Sequence, residues 1–233
     1  MSHDNWRNKK CLKSSHQFPI PQGAIHRKTF DLSTYNPIEL GTFALDNERK
    51  YEESSAAPEL NMPKTFPLDL NIGIDTFHKV ESDGSLDPLL EWVKRNNFDL
   101  KNVNFITYRG IMRKIGTTIF DYYRGHWSLK LCKHKDTIYI MEPDDTQQMI
   151  DKRKQETTQN KGPQYWGLKF EDYMMTAGVG TDHFNKGGDG GYHSVSTARL
   201  GKHRGVFAAE MDCKDDNGYI ELKTHRWFNN LSH

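Results

Sequence analysis

No two of the three cysteines in this 233-residue chain share a CxxC spacing; Cys11, Cys132 and Cys213 each stand alone. That argues against a structural zinc site, and an odd, scattered set argues for a reducing compartment over a disulfide framework. Long apolar runs are missing as well. The N-terminal Met1-Ser2-His3-Asp4-Asn5-Trp6 has no apolar signal-peptide region, and no stretch reaches the length of a membrane span, so the chain reads as soluble and intracellular, with no membrane partner. Charge of one sign is absent too: 32 Lys and Arg against 31 Asp and Glu leave a formal net charge of +1. With no global basic field to attract nucleic acid, any anion site must be local. Lys9-Lys10 is too small a cluster to read as a nuclear signal. Hydrophobic residues reach only 35%, which implies loop or tail around a core that 12% aromatics would supply.

Several catalytic signatures are lacking. The eleven histidines form no His-x-x-x-His pair and no Ser-His-Asp order. Residues 178–191 hold six glycines, but no Gly-Lys-Ser/Thr follows, so this is a flexible loop and not a phosphate-cradling one. Cys213 is flanked by acids that would hold its thiol protonated, which disfavours a cysteine nucleophile.

What is present divides the chain. Residues 1–34 are polar, with Pro19 and Pro21, and read as a mobile arm; 35–233 read as one domain. Within it, 35–70 carry Pro37, Pro58, Pro63 and Pro67 and look irregular. Leu86, Leu89, Leu90 and Val93 at helical spacing after Ser85 predict a helix over 86–97. A strand is expected at 105–108. A helix follows over 111–120, with Ile111, Ile115 and Ile119 on one face. Alternation of Trp127, Leu129 and Leu131, then of Ile138 and Ile140, predicts a hairpin turning near 133–136. Residues 144–163 are charged and amide-rich. A helix is expected over 165–177, with Trp166, Phe170, Tyr173 and Met174 on its buried side. His193 lies in a strand-like stretch, 192–195.

The richest segment is near the end. Residues 205–213 and 219–224 read as strands joined at Asp216-Asn217-Gly218, a hairpin turn signal. Side chains alternate along a strand, so Glu210 and Asp212 share one face, as do Glu221 and Lys223 on the partner. On its own such a hairpin reads more readily as a solvated, charged surface element. Two details point the other way: Lys223 can neutralise only one acid, and 205–209 is apolar on both faces. Carboxylates brought together repel unless a cation separates them, so convergence of Glu210, Asp212 and Glu221 beside Lys223 would suit a hard divalent metal next to a phosphate. Glu171, about 100° around its helix from Phe170, reads by spacing as a solvent-facing residue. Arg109 and Gly110, at a strand-to-helix junction after Tyr108, fit either a ligand-facing corner or a local ion pair. Arg49 looks like part of an ordinary charged run.

Five stretches in order resemble the DXO/Rai family of RNA 5′-end decapping and quality-control enzymes: Glu-Leu-Gly-Thr-Phe-Ala-Leu-Asp-Asn-Glu-Arg-Lys-Tyr (39–51), Phe-Ile-Thr-Tyr-Arg-Gly (105–110), Tyr-Trp-Gly-Leu-Lys-Phe-Glu (165–171), Glu-Met-Asp-Cys (210–213) and Tyr-Ile-Glu-Leu-Lys-Thr (219–224). The resemblance implies an α/β (α+β) fold: a mixed β-sheet with flanking helices and a PD-(D/E)XK nuclease-like core. It implies hydrolysis at incompletely or abnormally capped RNA 5′ ends, as pyrophosphohydrolase, decapping or NAD-cap removal activity, with 5′→3′ exoribonuclease activity in some members. Glu171, Glu210, Asp212 and Glu221, with the Leu222 carbonyl, would hold two Mg²⁺ or Mn²⁺ ions. Lys223 would contact the scissile phosphate or the attacking water. Arg109, with Tyr108 and Gly110, would hold the 5′ phosphates, assisted by Arg49, and His193 falls at a substrate-lining position of another residue type. Partners would be RNA 5′ ends and, for some members, a nuclear 5′→3′ exoribonuclease; the location would be the nucleus, and the cytoplasm is left open. The family continues beyond the position where this chain stops, ten residues after Lys223, so a shortened, less stable and less active form is also expected. A non-catalytic partner of the exoribonuclease is the competing reading. A DNA nuclease is a third, disfavoured by the near-neutral charge.

Overall fold

The computed structural model describes residues 36–46, 48–53, 56–77, 84–118, 127–143, 161–180 and 191–225. The readings for 1–34, 144–160, Ile119 and most of 178–191 lie outside them. The strands are β1 (Ile38–Leu45), β2 (Tyr51–Glu52), β3 (Phe105–Tyr108), β4 (Lys130–His134), β5 (Thr137–Met141), β6 (Tyr192–Leu200), β7 (His203–Met211), β8 (Cys213–Asp215) and β9 (Gly218–Ile220). The helices are α1 (Asp87–Arg95), α2 (Arg109–Thr117) and α3 (Lys161–Met175). Seven strands form one mixed sheet in the order β2-β1-β6-β7-β3-β5-β4, and β8-β9 form a separate pair. β3 runs parallel to both its neighbours, β7 and β5, and the other pairings are antiparallel.

The principal core lies on one face of the sheet. Phe43, Val195, Val206, Ala208 and Ile106 share that face by alternation and register, and Leu89, Trp92 and Val93 of α1 cover them. α1 begins one residue later than its sequence signal, with Leu86 and not Ser85 at its N-cap, although the Ser85 Oγ still accepts a bond from the Asp87 N–H at 3.0 Å. The β4–β5 hairpin forms where alternation placed it, turning at Lys135–Asp136. Its buried side is not the aliphatic one: Leu131 is 58% exposed, while Tyr139 and Thr137 are buried.

Three expectations need correction. The segment 35–70 is not irregular throughout, because β1 is an interior strand between β2 and β6; the prolines flank it without entering it. The second helix begins at Arg109, and of the two described residues of the expected stripe Ile111 is buried and Ile115 is 40% exposed. The third helix spans Lys161–Met175; Tyr173 and Met174 are buried as expected, but Trp166 is 39% exposed, and Tyr165, Lys169 and Asp172 are buried as well. The cause is polar. The Tyr165 and Tyr173 hydroxyls donate to the Ile72 and Asp69 carbonyls, and Lys169 and Asp172 pair at 3.0 Å, so the helix packs by groups that hydrophobic spacing does not count.

One glycine is required by sheet packing. Gly205 lies opposite Phe105 across β7 and β3, and a Cβ on it would stand 2.1 Å from the Phe105 ring. Gly205→Ala should therefore destabilise the fold by about 2–3 kcal/mol through overpacking. Denaturant unfolding of the two proteins measures this; an unchanged midpoint would mean that the Phe105 ring swings aside without cost.

Candidate active site

Parallel pairing of β3 with β7 puts their C-terminal ends side by side, Tyr108 against Ala208. Antiparallel β6 begins at this same end, and β1 finishes there. The residues singled out in the sequence therefore come from one rim of the sheet, outside the carboxyl ends of β3 and β7, where open α/β sheets bind ligands.

The acidic hairpin is built differently from its sequence reading. The strand 205–213 is broken at Asp212: β7 ends at Met211 and belongs to the main sheet, while Cys213 starts the separate β8–β9 pair. The partner strand ends at Ile220, so Glu221, Leu222 and Lys223 follow β9 outside any strand. The convergence holds nonetheless. The Leu222 N–H donates to Asp212 Oδ2 at 2.6 Å, which ties the end of the hairpin back to the break. The Lys223 Nζ lies 2.6 Å from Glu221 Oε1 and 3.7 Å from Asp212 Oδ2, and donates to the Leu222 carbonyl at 2.9 Å. Arg109, the first residue of α2, reaches Glu221 Oε2 at 3.5 Å.

Glu171 is not on the surface as spacing suggested. It is largely withdrawn from solvent, and burial, then the Asp212 carboxylate, push its pKa up from 4.5 to about 7; Lys223 opposes this, and Glu210 and Glu221 add to it. Asp212 is also raised, by burial first, against the Leu222 N–H bond and Lys223. Glu221 is lowered, chiefly by its bond to Lys223. Burial works against the Lys223 ammonium, but Glu221, Asp212 and Glu171 together hold it above the ordinary value. Helix and hairpin thus share one electrostatic patch.

Beside this patch lies His193, buried, opposite Glu210 in the β6–β7 register. Its ring stacks on Phe43 at 4.8 Å and stands edge-on to Tyr108 at 6.1 Å, and its Nδ1 is 3.1 Å from the Gly191 carbonyl. Burial lowers its pKa, with Glu210 opposing and Arg49 assisting. Arg49 is therefore near enough to act on the site, and it sits in a left-handed turn (φ 61) held by the Asp46 carboxylate. Gly110 lies in the first turn of α2 with open space around it. Two residues of the rim were not singled out, Phe43 and Gly191. A Cβ on Gly191 would stand 2.4 Å from Glu210 Oε1, so the glycine makes room for that carboxylate. Phe43 lies inside β1, in the 39–51 stretch that carries the resemblance, and Gly191 ends the glycine-rich stretch just before β6, but residue type alone marks neither as a site residue.

A mixed sheet with Glu-x-Asp at the end of one strand, Glu-x-Lys after a hairpin and a further Glu on a packed helix has the layout of a PD-(D/E)XK nuclease. The chain belongs to the RAI1 like PD-(D/E)XK nuclease family, which it matches over residues 35–233. It is 29% identical over 216 residues to the decapping and exoribonuclease protein of Mus musculus, a match that covers 82% of this chain and 54% of that protein. In structure it is similar to Scheffersomyces stipitis Rai1 in complex with (3′-NADP)⁺ and calcium ion (TM-score 0.65, 20% identity, 85% of this chain and 62% of that one). It is also similar to Candida albicans Rai1 in complex with pU5-Mn²⁺ (TM-score 0.64, 21% identity, 84% and 61%). The chain spans about half the length of the curated relatives it matches.

Among the described residues, no three His, Cys, Asp or Glu side chains stand at metal-closing spacing. The donor set still fits a hard divalent cation. It consists of carboxylate oxygens and a carbonyl, and a cation already rests on part of it: the Lys223 ammonium touches Glu221 and Leu222 and lies close to Asp212.

Proposed function

We propose that this chain is a metal-dependent hydrolase of incompletely or abnormally capped RNA 5′ ends, acting in RNA quality control. The observation that carries the reading is the meeting of Glu171, Asp212, Glu221 and Lys223 at one rim, with Arg109 pointing into the same patch. Glu171, Glu210, Asp212 and Glu221, with the Leu222 carbonyl, would hold Mg²⁺ or Mn²⁺. Such ions, when bound, supply a nucleophilic water at neutral pH and charge neutralisation at phosphorus. The chain's own groups do the rest. Arg109 is half-exposed and offers a forked donor to the terminal 5′ phosphates. Lys223, also half-exposed, places an ammonium where negative charge develops on the transferred phosphoryl group. Tyr108 and the buried His193 lie edge-to-face beside the patch, and Arg49 adds charge at its edge. Pyrophosphate release, removal of an unmethylated cap, NAD-cap removal and 5′→3′ degradation are all compatible with this arrangement. A nuclear location goes with the reading and is tested by where a tagged copy resides.

The test is incubation with Mn²⁺ and 5′-end-labelled RNAs carrying a triphosphate, an unmethylated cap or an NAD cap, beside Asp212→Ala. Product that requires both the metal and Asp212 is expected, and its identity names the reaction. No product from any of the three RNAs would sink the hydrolase reading and favour a non-catalytic partner of a 5′→3′ exoribonuclease.

A further inference from the structure

α2 starts inside the candidate site at Arg109 and leads away from it. From Arg109 to Thr117 the helix contains three cations and no acid. Lys114 is turned aside, 3.4 Å from Glu142 and over the Trp127 ring at 5.6 Å. Arg113 is exposed and makes no ion pair with any described residue. Four residues along the helix place it about 6 Å further out and about 40° around from Arg109, so the two guanidinium groups line one face. Gly110 and Gly116 flank them, and a Cβ on either would meet nothing within 4 Å, so no part of the described chain overhangs this face. The opposite side is anchored by buried Ile111. The exposed Arg95, by contrast, is paired with Glu91 at 2.9 Å. In a chain of nearly zero net charge, an uncompensated arginine one turn from the site creates a local positive field that leads outward.

We propose that this face of α2 is the track for the RNA strand downstream of its reacting 5′ end, with Arg113 as the next phosphate contact after Arg109. The proposal rests on the RNA 5′-end reading above. Its ligand is the phosphodiester backbone of single-stranded RNA, held without regard to base. The spacing of one helical turn suits successive phosphates of an extended strand, and the open glycine surface lets that backbone lie close. Arg113 would then set affinity for RNA length and leave the choice of 5′ group to the rim residues around Arg109.

The experiment compares kcat/KM on 5′-triphosphate RNAs of two and ten nucleotides, together with fluorescence-anisotropy binding of the longer RNA over a range of KCl concentrations. Arg113→Glu should cut the advantage of the longer RNA about tenfold and reduce the slope of log Kd against log salt by about one phosphate's worth. Arg113→Lys should restore most of that advantage. Lys101→Glu, the same charge reversal at the opposite end of β3, should keep it in full. An undiminished length advantage in Arg113→Glu, in a protein that melts like the parent, would overturn the track. Salt-dependent binding that requires Arg113 without hydrolysis would uphold the track and overturn the hydrolase reading. Hydrolysis indifferent to Arg113 would do the reverse.

Discussion

Lys223→Met should lower hydrolysis of a 5′-triphosphate RNA by about two to three orders of magnitude, the usual cost of removing one preorganised transition-state donor, and should at the same time tighten Mn²⁺ binding. The two effects run in opposite directions because Lys223 has two relations to the site. Towards a phosphate it is a donor, half-exposed and aimed into the patch. Towards the carboxylates it is a resident cation, 2.6 Å from Glu221 and 3.7 Å from Asp212. A divalent ion must share or displace that ammonium, and like charges so close repel. Methionine keeps the length and apolar stem of lysine and removes the charge. Solvent screening of a half-exposed pair keeps the gain in affinity modest, about threefold to tenfold. Titration of Mn²⁺ by electron paramagnetic resonance at pH 8 reads affinity, and a single-turnover assay at saturating metal reads the chemical step. Weaker Mn²⁺ binding in the variant would show that Lys223 supports the metal set and does not compete with it.

The parts of the fold legible in the sequence are those whose residues act locally. Phe105 to Tyr108, the β4–β5 turn and the Asp216-Asn217-Gly218 turn need only β propensity and turn chemistry, and all three form as expected. The break at Asp212 is not local. It arises because the Asp212 carboxylate takes the Leu222 N–H, ten residues on, and the chain must leave the main sheet to bring them together. β1 was hidden for a similar reason: its partners are β6, some 150 residues away, and β2, while the nearby prolines suggest irregular chain. Glu171 is the clearest case. Counting turns with Trp166 and Phe170 on the buried face puts it in solvent. The helix in fact rests on Tyr165, Tyr173 and the Lys169–Asp172 pair, which rotates Glu171 towards Asp212. Only the resemblance of Tyr165 to Glu171 to a family motif pointed to a site role, since an ion pair buried on a helix face is invisible to hydrophobic periodicity.

That rotation has a thermodynamic consequence. Without metal, Glu171→Gln should be more stable than the parent at pH 8 and equal to it at pH 4.5. The Glu171 pKa is raised from 4.5 to about 7, by burial first and by Asp212 second. A raised carboxyl pKa contributes stability that is fully present below the unfolded value and is lost as pH rises through the folded one. Glu171 therefore weakens the metal-free fold progressively between about pH 4.5 and 7. At about 1.4 kcal/mol per unit the difference sets a ceiling of roughly 3 kcal/mol, and water reaching the site brings the expected value to about 1–2 kcal/mol. Glutamine fills the same space, keeps a carbonyl acceptor and carries no charge to desolvate. Calorimetric melting in EDTA should show Glu171→Gln about 3–6 °C above the parent at pH 8, with the gap closing by pH 4.5. Added Mn²⁺ should reverse the order at pH 8 by raising the melting temperature of the parent far more than that of the variant. The reversal separates a residue kept for a cation from one kept for packing. A buried carboxylate that serves only the fold would be destabilised by its own removal, with or without metal. A melting difference that stays constant from pH 4.5 to 8 would place Glu171 in solvent after all, and would remove the helix from the site.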